Sequence, residues 1–293
     1  MLGFGVVQIN YPGSNVTQMQ FPFSGPLPEA ELAIRAINEA TKKVLEIYNG
    51  VFEATEKEDK SPVTKADIES HRIITRILSE SGIAIVSEEG EENAANSNTK
   101  FWLVDPLDGT REFVDKNGEF TIMVALVDGG KPILGLISHP LAGSVYLAQT
   151  GRGAFKFSNQ VWDRLHVSDT GALAGSRAVI SRSHVSPEEL DFIDSLKISN
   201  YARLGSSLKA LRICSGEAEL YFAANTKMKQ WDTCASYCLV AESGGKMTDM
   251  FGGEIMYSAG PASHERGVVI TNGRIHDEFI ARCDPMRRKL GSS

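Results

Sequence analysis

Six residues, Asp105-Pro106-Leu107-Asp108-Gly109-Thr110, directly follow the apolar run 101–104 and put two carboxylates, a proline and a glycine side by side. Pro106 keeps Asp105 out of the helical region, so the chain can turn and aim Asp105, Asp108 and the Leu107 carbonyl at one point. Gly109 lets a ligand come close to the backbone, and Thr110 offers a hydroxyl and an N–H there. A second apolar run, 83–86, also ends in acids, Glu88 and Glu89. Two neighbouring strands ending in carboxylates concentrate negative charge at one sheet edge, and like charges about 4 Å apart repel by about 4 kcal/mol at an effective dielectric of about 20. A cation relieves that repulsion, and oxygen-only ligands favour Mg²⁺. Each segment also has a plain structural reading. Residues 105–110 can be an Asx-capped turn, and Glu88-Glu89 a solvated loop. Thr64-Lys65-Ala66-Asp67 is a capping box, and Asp232 after Trp231 an N-cap. Ser206-Ser207-Leu208-Lys209 alone reads as a helix start with an exposed lysine, and His184 alone as an exposed or capped histidine. Taken singly, both readings stay open.

The elements that must position these groups follow from periodicity. Residues 29–49 predict a helix, with Ala33, Ile37, Ala40, Val44 and Tyr48 spaced at three and four and Gly50 placed to end it. The charged stretch 53–60 reads as a solvated loop. A second helix follows Thr64, carrying Ile68, Ile74, Ile77 and Leu78 to Ser81-Gly82. Strands are expected at 83–86 and 101–104. A meander at 120–127, 133–138 and 145–148 follows, turning at Asp128-Gly129-Gly130 and between Pro140 and Gly143. Beyond about residue 175 helices and strands alternate. Strands are expected at 178–181, 201–204, 218–223 and 267–271, and helices from Ser186-Pro187-Glu188 and at 206–214, 232–243 and 275–282. The expected organisation is an N-terminal extension (1–28), a metal-binding α+β domain (29–175), an α/β domain completing the substrate site (176–285) and a tail (286–293).

The 293 residues are 42% hydrophobic and 23% charged, a globular balance that argues against disorder. The formal charge of −7 argues against a nucleic-acid polymer as partner. No apolar run nears the roughly 18 residues of a membrane span. The uncharged first 28 residues, broken by Pro12, Pro22, Pro26 and Pro28, do not form a secretory signal. Cys234 and Cys238 can share a helix face, but no second pair completes a zinc set. Cys214, Cys234, Cys238 and Cys283 read as buried thiols in a cytoplasmic protein.

The order Asp67, Glu88-Glu89, Asp105-Pro106-Leu107-Asp108-Gly109-Thr110, Trp231-Asp232-Thr233-Cys234-Ala235 and Glu242-Ser243-Gly244-Gly245 resembles the lithium-sensitive, magnesium-dependent phosphatases related to inositol monophosphatase. The resemblance spans about residues 29–282. Several stretches are most similar to its 3'(2'),5'-bisphosphate nucleotidase branch, the CysQ type. They are Ser61 to Asp67, Phe101 to Phe113, Asn117-Gly118-Glu119-Phe120-Thr121, Ser181-Arg182-Ser183-His184 and Gly205-Ser206-Ser207-Leu208-Lys209.

The resemblance implies a mixed α/β, layered α-β-α-β-α sugar-phosphatase-like fold and two to three Mg²⁺ ions, with Li⁺ inhibitory. It gives Glu88, Asp105 and the Leu107 carbonyl to one ion, and Asp105, Asp108 and Asp232 to a second. A third, looser ion uses Glu88 and water near Asp67. Asp67 and Thr110 orient and deprotonate the attacking water. The N–H groups of Gly109 and Thr110 meet phosphate oxygens, while His184, Ser206 and Lys209 contact the nucleotide. One departure stands out: the arginine that such relatives carry before the Trp-Asp motif is absent from Tyr221-Phe222-Ala223-Ala224-Asn225, leaving Lys227 and Lys229 as substitutes. The implied substrate is a small nucleoside bisphosphate, adenosine 3',5'-bisphosphate or 3'-phosphoadenylyl sulfate, taken up by a monomer or homodimer with no stable membrane insertion. Its cluster of negative charge calls for local basic residues such as Lys209, Lys227 or Arg182. The alternatives are an inositol mono- or 1,4-bisphosphate phosphatase, a catalytically silent metal- or nucleotide-binding protein and, more remotely, a fructose 1,6-bisphosphatase.

Overall fold

The computed structural model describes residues 6–9, 17–56, 62–90, 100–259 and 263–291. Residues 1–5 and 10–16 of the 1–28 extension, half of the 53–60 loop and the last two tail residues lie outside the described residues. Strands β1 (Val6–Ile9) and β2 (Thr17–Gln20) pair as an antiparallel hairpin ahead of helix α1 (Pro28–Asn49). Pro28 opens that helix because its fixed φ suits the first helical position. A short hairpin of β3 (Ala54–Glu56) and β4 (Pro62–Thr64) leads into α2 (Lys65–Leu78). Then come β5 (Ala84–Ser87), β6 (Phe101–Asp108), the single turn α3 (Thr110–Val114) and β7 (Thr121–Asp128). The meander continues through β8 (Lys131–His139), β9 (Ser144–Gln149), β10 (Gly153–Ser158) and β11 (Val161–Arg164). The remainder is β12 (Arg177–Ser181), α4 (Pro187–Ser195), β13 (Asn200–Leu204), α5 (Leu208–Cys214), β14 (Leu220–Ala223), α6 (Cys234–Glu242), β15 (Lys246–Thr248), β16 (Val268–Thr271), α7 (His276–Arg282) and α8 (Asp284–Gly291).

Two sheets carry the molecule. The larger has the order β11-β10-β9-β8-β7-β6-β5, antiparallel except for the parallel β5–β6 pair; the smaller has the order β13-β12-β14-β16-β15. Side chains on a strand alternate between faces, and here both faces are apolar. Trp102 and Val104 of β6, Ile122 and Val124 of β7, and Val145 and Leu147 of β9 pack under α1 and α2. Their neighbours Phe101, Leu103, Met123, Ala125, Tyr146 and Ala148 face the opposite way, onto α5 and α6. The far side of α5 and α6 meets Val179, Tyr221, Val268 and Ile270 of the smaller sheet. That sheet's outer face packs Ile180, Phe222 and Val269 against Phe192 of α4, Phe279 of α7 and Met286 of α8. The layer order is therefore α-β-α-β-α, the architecture the resemblance implies. Among the described residues no helix is long and apolar enough to cross a membrane.

Some elements differ from the periodicity reading. Ala54–Glu56 is a strand, not loop, because it pairs with Pro62–Thr64. β11 was not expected: most of its residues are exposed, so no apolar alternation marks it. β15 is only three residues long. Residues assigned to the tail form most of α8, anchored by buried Met286. The helices expected from 206 and 232 begin at Leu208 and Cys234, which leaves Ser206 and Asp232 in the turns before them.

Close seating of α6 on the larger sheet depends on Gly135 in β8. A Cβ there would lie 2.6 Å from the Ala235 carbonyl oxygen and 2.9 Å from Cys238 Cβ. Backbone cannot yield as a flexible side chain does, so Gly135→Ala is expected to cost about 1–3 kcal/mol. Denaturant titration checks this, and a midpoint equal to the wild type would show that α6 is not tightly seated.

Candidate active site

The site begins where β6 breaks its ladder. Asp105 pairs with Met123 and Asp108 with Thr121, so three steps along β6 match two along β7. Pro106 has no N–H to give the ladder, and the resulting bulge re-aims the side chains around it. Two bonds pin it: Ser70 of α2 donates through Oγ to the Pro106 carbonyl at 2.7 Å, and the Leu107 N–H donates to Asp105 Oδ1 at 3.1 Å. Gly109 then takes φ 89°, a left-handed value, and a Cβ there would sit 3.0 Å from the Glu119 carbonyl oxygen.

Asp67 serves two roles at once. Its Oδ2 accepts from the Thr64 N–H and hydroxyl, each at 2.7 Å, completing the capping box of α2. Its Oδ1 accepts from Thr110 Oγ1 at 2.8 Å, and that hydroxyl also lies 3.2 Å from the Leu107 carbonyl oxygen. The cap thus reaches across to the bulge. Glu88 follows β5, whose Ser87 pairs with Val104, and its N–H donates to the Val104 carbonyl at 3.1 Å, so it sits beside Asp105.

Asp232 is not the N-cap of α6; Thr233 occupies that position. Instead Asp232 Oδ2 accepts from the Lys229 N–H at 2.8 Å, and the side chain stays half-buried facing the bulge acids. Asp108 Oδ2 accepts from the Ser207 N–H at 2.5 Å. Among the described residues, no hydrogen bond reaches the remaining oxygen of Asp105, Asp108 or Asp232.

These acids act on one another. Burial, then the charges of Glu88, Asp108 and Asp232, hold the Asp105 carboxyl well above the usual carboxylate range. Burial likewise raises Asp232, reinforced by Asp108 and Glu88. Asp108 is pushed by burial up to about 6, against the pull of Lys209 and the Ser207 N–H. Burial also takes Asp67 up to about 6, even with its three hydrogen bonds. The compensating cation is Lys209, which is buried rather than exposed: its Nζ donates to the Ser206 carbonyl at 2.5 Å and lies 5.3 Å from the Tyr221 ring centroid.

No three His, Cys, Asp or Glu side chains among the described residues already close into a cage. The donor set nonetheless fits a hard divalent ion. Glu88, Asp105, Asp108, Asp232 and the Leu107 carbonyl offer only oxygen, and their charge exceeds what one lysine offsets.

The remaining predicted residues line the rim. Ser206 holds a left-handed φ of 47°. His184 is exposed, with its N–H on Ser181 Oγ at 3.1 Å, and the charges that reach it are Glu112, Lys209, Arg111 and Lys227. Lys227 is exposed, whereas Lys229 Nζ is committed to Ser263 Oγ at 3.0 Å. Arg182 is not free to meet substrate, because Glu119 holds it in an ion pair. Glu112, Glu119 and Thr121 were not read as site residues. Ser183 Oγ donates to Glu112 at 2.7 Å, and the Thr121 and Ser207 hydroxyls meet at 2.7 Å. The available signal was topological: β7 runs antiparallel to β6, so residues at its start lie beside the end of β6. All four cysteines are buried free thiols, and burial raises the pKa of each.

Comparison with known proteins identifies the family and the fold. The profile of the inositol monophosphatase family matches residues 28–284. The chain is 36% identical over 222 residues to the 3'(2'),5'-bisphosphate nucleotidase CysQ of Shigella flexneri, covering 73% of this chain and 88% of that one. The structure of CysQ from Bacteroides thetaiotaomicron, a bacterial member of the inositol monophosphatase family, matches with a TM-score of 0.71 at 31% identity, over 84% of this chain and 97% of that one. The extragenic suppressor protein SuhB of Bartonella henselae shares the fold, with a TM-score of 0.76 at 23% identity over 87% and 98% of the two chains. The chain belongs to the inositol monophosphatase family.

The raised carboxylates set a pH dependence. Their folded pKa values lie above the unfolded ones, so the folded state binds more protons and stability falls as pH rises through about 6. For Asp67 alone, the rise from 3.8 to about 6 corresponds to about 3 kcal/mol. In EDTA the melting temperature is expected to fall between about pH 4 and 7, with saturating Mg²⁺ removing most of the fall at the upper end. Scanning calorimetry at several pH values checks it; a Mg²⁺-induced shift that is the same at pH 5 and pH 8 would contradict the assignment.

Proposed function

We propose that this member of the inositol monophosphatase family is a Mg²⁺-dependent 3'(2'),5'-bisphosphate nucleotidase. It would convert adenosine 3',5'-bisphosphate to AMP and phosphate, and also accept 3'-phosphoadenylyl sulfate. The observation that carries the chemistry is the Thr110–Asp67 hydrogen bond, set beside Asp105, Asp108 and Asp232 in one buried field. The nucleotide substrate is supported by the 36% identity to a CysQ nucleotidase and by the structural match to a second CysQ. Such a role belongs in the cytoplasm, clearing a by-product of sulfate activation.

Glu88, Asp105 and the Leu107 carbonyl would hold one ion, and Asp105, Asp108 and Asp232 a second. Glu88 and water near Asp67 would hold a looser third, the position at which Li⁺ interferes. Bound there, Mg²⁺ supplies charge neutralisation at the phosphate and an acidified water.

The protein's own groups do the rest. Asp67 orients Thr110 through a 2.8 Å bond and receives the proton that the attacking water releases. Its pKa of about 6 places it nearer to neutrality than an ordinary carboxylate, which suits a general base. Gly109 and Thr110 stand at the start of α3, where N–H groups have no intrahelical partner, and present them to phosphate oxygens. Ser206 and His184 form the rim against the nucleoside. Lys209 acts from below, keeping the field of the acids from repelling the incoming anion.

Phosphate release is to be compared for adenosine 3',5'-bisphosphate, 3'-phosphoadenylyl sulfate, inositol 1-phosphate and inositol 1,4-bisphosphate, with Mg²⁺ and with or without Li⁺. The adenosine bisphosphate is expected to be the best substrate, and faster release from either inositol phosphate would replace this reading with the inositol one. Asp105→Asn and Asp232→Asn are each expected to lower Mg²⁺-dependent turnover by at least about 100-fold, more than outer partners of a metal site usually cost. Circular dichroism should show both variants folded, and wild-type turnover in either removes the assigned ligand.

A further inference from the structure

Glu119 stands just before β7, at the junction of the two sheets. Arg182, just past β12, donates to it twice, from Nε at 2.6 Å and from Nη2 at 2.5 Å. The Gly205 N–H donates to Glu119 Oε2 at 2.6 Å. The same Arg182 Nη2 also donates to the Arg203 carbonyl at 2.8 Å. One carboxylate from the first sheet thus holds two separate segments of the second, both of which lead directly into the rim residues.

What it holds is a strained turn. Ser206 has φ 47°, which a residue with a Cβ adopts only when its surroundings enforce it. Gly205 has no room for a side chain, since a Cβ would lie 2.6 Å from Glu112 Cγ and 2.9 Å from the Glu119 carbonyl oxygen. The far end of the turn is secured independently, by the Ser207 N–H on Asp108 and the Ser207 hydroxyl on Thr121. An ion pair this exposed adds little to fold stability, so its position argues for a different use.

We propose that Glu119, gripped by Arg182, is a positioning residue that fixes the Gly205–Ser206 turn and thereby sets how tightly the organic half of the phosphomonoester is held. This rests on the reading of Ser206 as a substrate contact. Because Ser207 keeps its own bonds, loosening Glu119 frees the substrate side of the turn and leaves Asp108 in place.

The test uses the full chain with saturating Mg²⁺ and whichever phosphomonoester the wild type hydrolyses best. Glu119→Gln is expected to raise KM about 10- to 100-fold, the range a lost charge-assisted hydrogen bond brings. Both kcat and the Mg²⁺ concentration for half-activation should stay within about threefold of wild type, the split that marks lost binding rather than lost chemistry. Arg182→Ala removes the same ion pair and should raise KM by a similar factor, since an amide oxygen in Glu119→Gln still accepts from the Gly205 N–H, and the double variant should match either single variant. A wild-type KM in Glu119→Gln, a loss confined to kcat, or KM increases that multiply in the double variant would each overturn the proposal. If Glu119→Gln does not fold, Arg182→Ala decides: an unchanged KM refutes the clamp and a raised KM at unchanged melting temperature supports it. A wild type that prefers an inositol phosphate removes the nucleotidase reading, while the clamp is still measured on that substrate.

Discussion

Carboxylates buried faster than they are paired are the constraint on which this molecule turns. Asp105 is almost wholly enclosed, and Asp108 and Asp232 stand within its field. In water such groups ionise near pH 4; here burial and mutual repulsion favour the proton. A fold that spends stability in this way needs rigid supports, because each acid would otherwise rotate toward solvent. Every one of them has a support. The Leu107, Ser207 and Lys229 N–H groups each take one oxygen of Asp105, Asp108 and Asp232, and leave the other turned inward.

The supports come from distant parts of the chain, and the layers explain how they meet. β5 and β6 are the parallel pair of the larger sheet, so both end at the same edge and deliver Glu88 and Asp105 together. α5 and α6 lie between the sheets, and the turns before them deliver Ser207 and Asp232 to that edge. α2 starts beside it and contributes Asp67 and Ser70. Burying apolar side chains on both faces of the larger sheet fixes the registers, and a one-residue slip would send each acid to the opposite face.

The acids and their order could be read from the chain, as could the strand end or helix start that each adjoins. Asp105, Pro106 and Gly109 announce a special turn by their own conformational limits, and the capping box at Thr64–Asp67 is local chemistry. What could not be read was long-range. Lys209 looks like a solvated lysine in any helical window, and only the packing of α5 against both sheets shows that it is buried. Glu119 and Arg182 are 63 residues apart, and neither has a local pattern that names the other. Asp232 reads as an ordinary N-cap until the helix is found to start two residues later. The exposed strand β11 fails for a different reason, since without a buried face it has no periodicity to detect.

Lys209, the one buried lysine among the described residues, bears on why the proposed metal site does not settle into an ion-pair network. With a second lysine or arginine inside the cluster, the carboxylates would be neutralised permanently and would have no charge left to offer an ion. With none, the acids would stay protonated up to high pH, and protonated carboxyls are poor ligands for a hard cation. Lys209 is placed between these extremes: its charge opposes the burial that raises Asp108 to about 6, while burial and the neighbouring acids hold Asp105 and Asp232 well above the usual range. The cluster is thus still short of positive charge. On the proposed reading, that shortfall leaves the last step of compensation to a cation from solution, together with the anionic substrate that the cation would bring in.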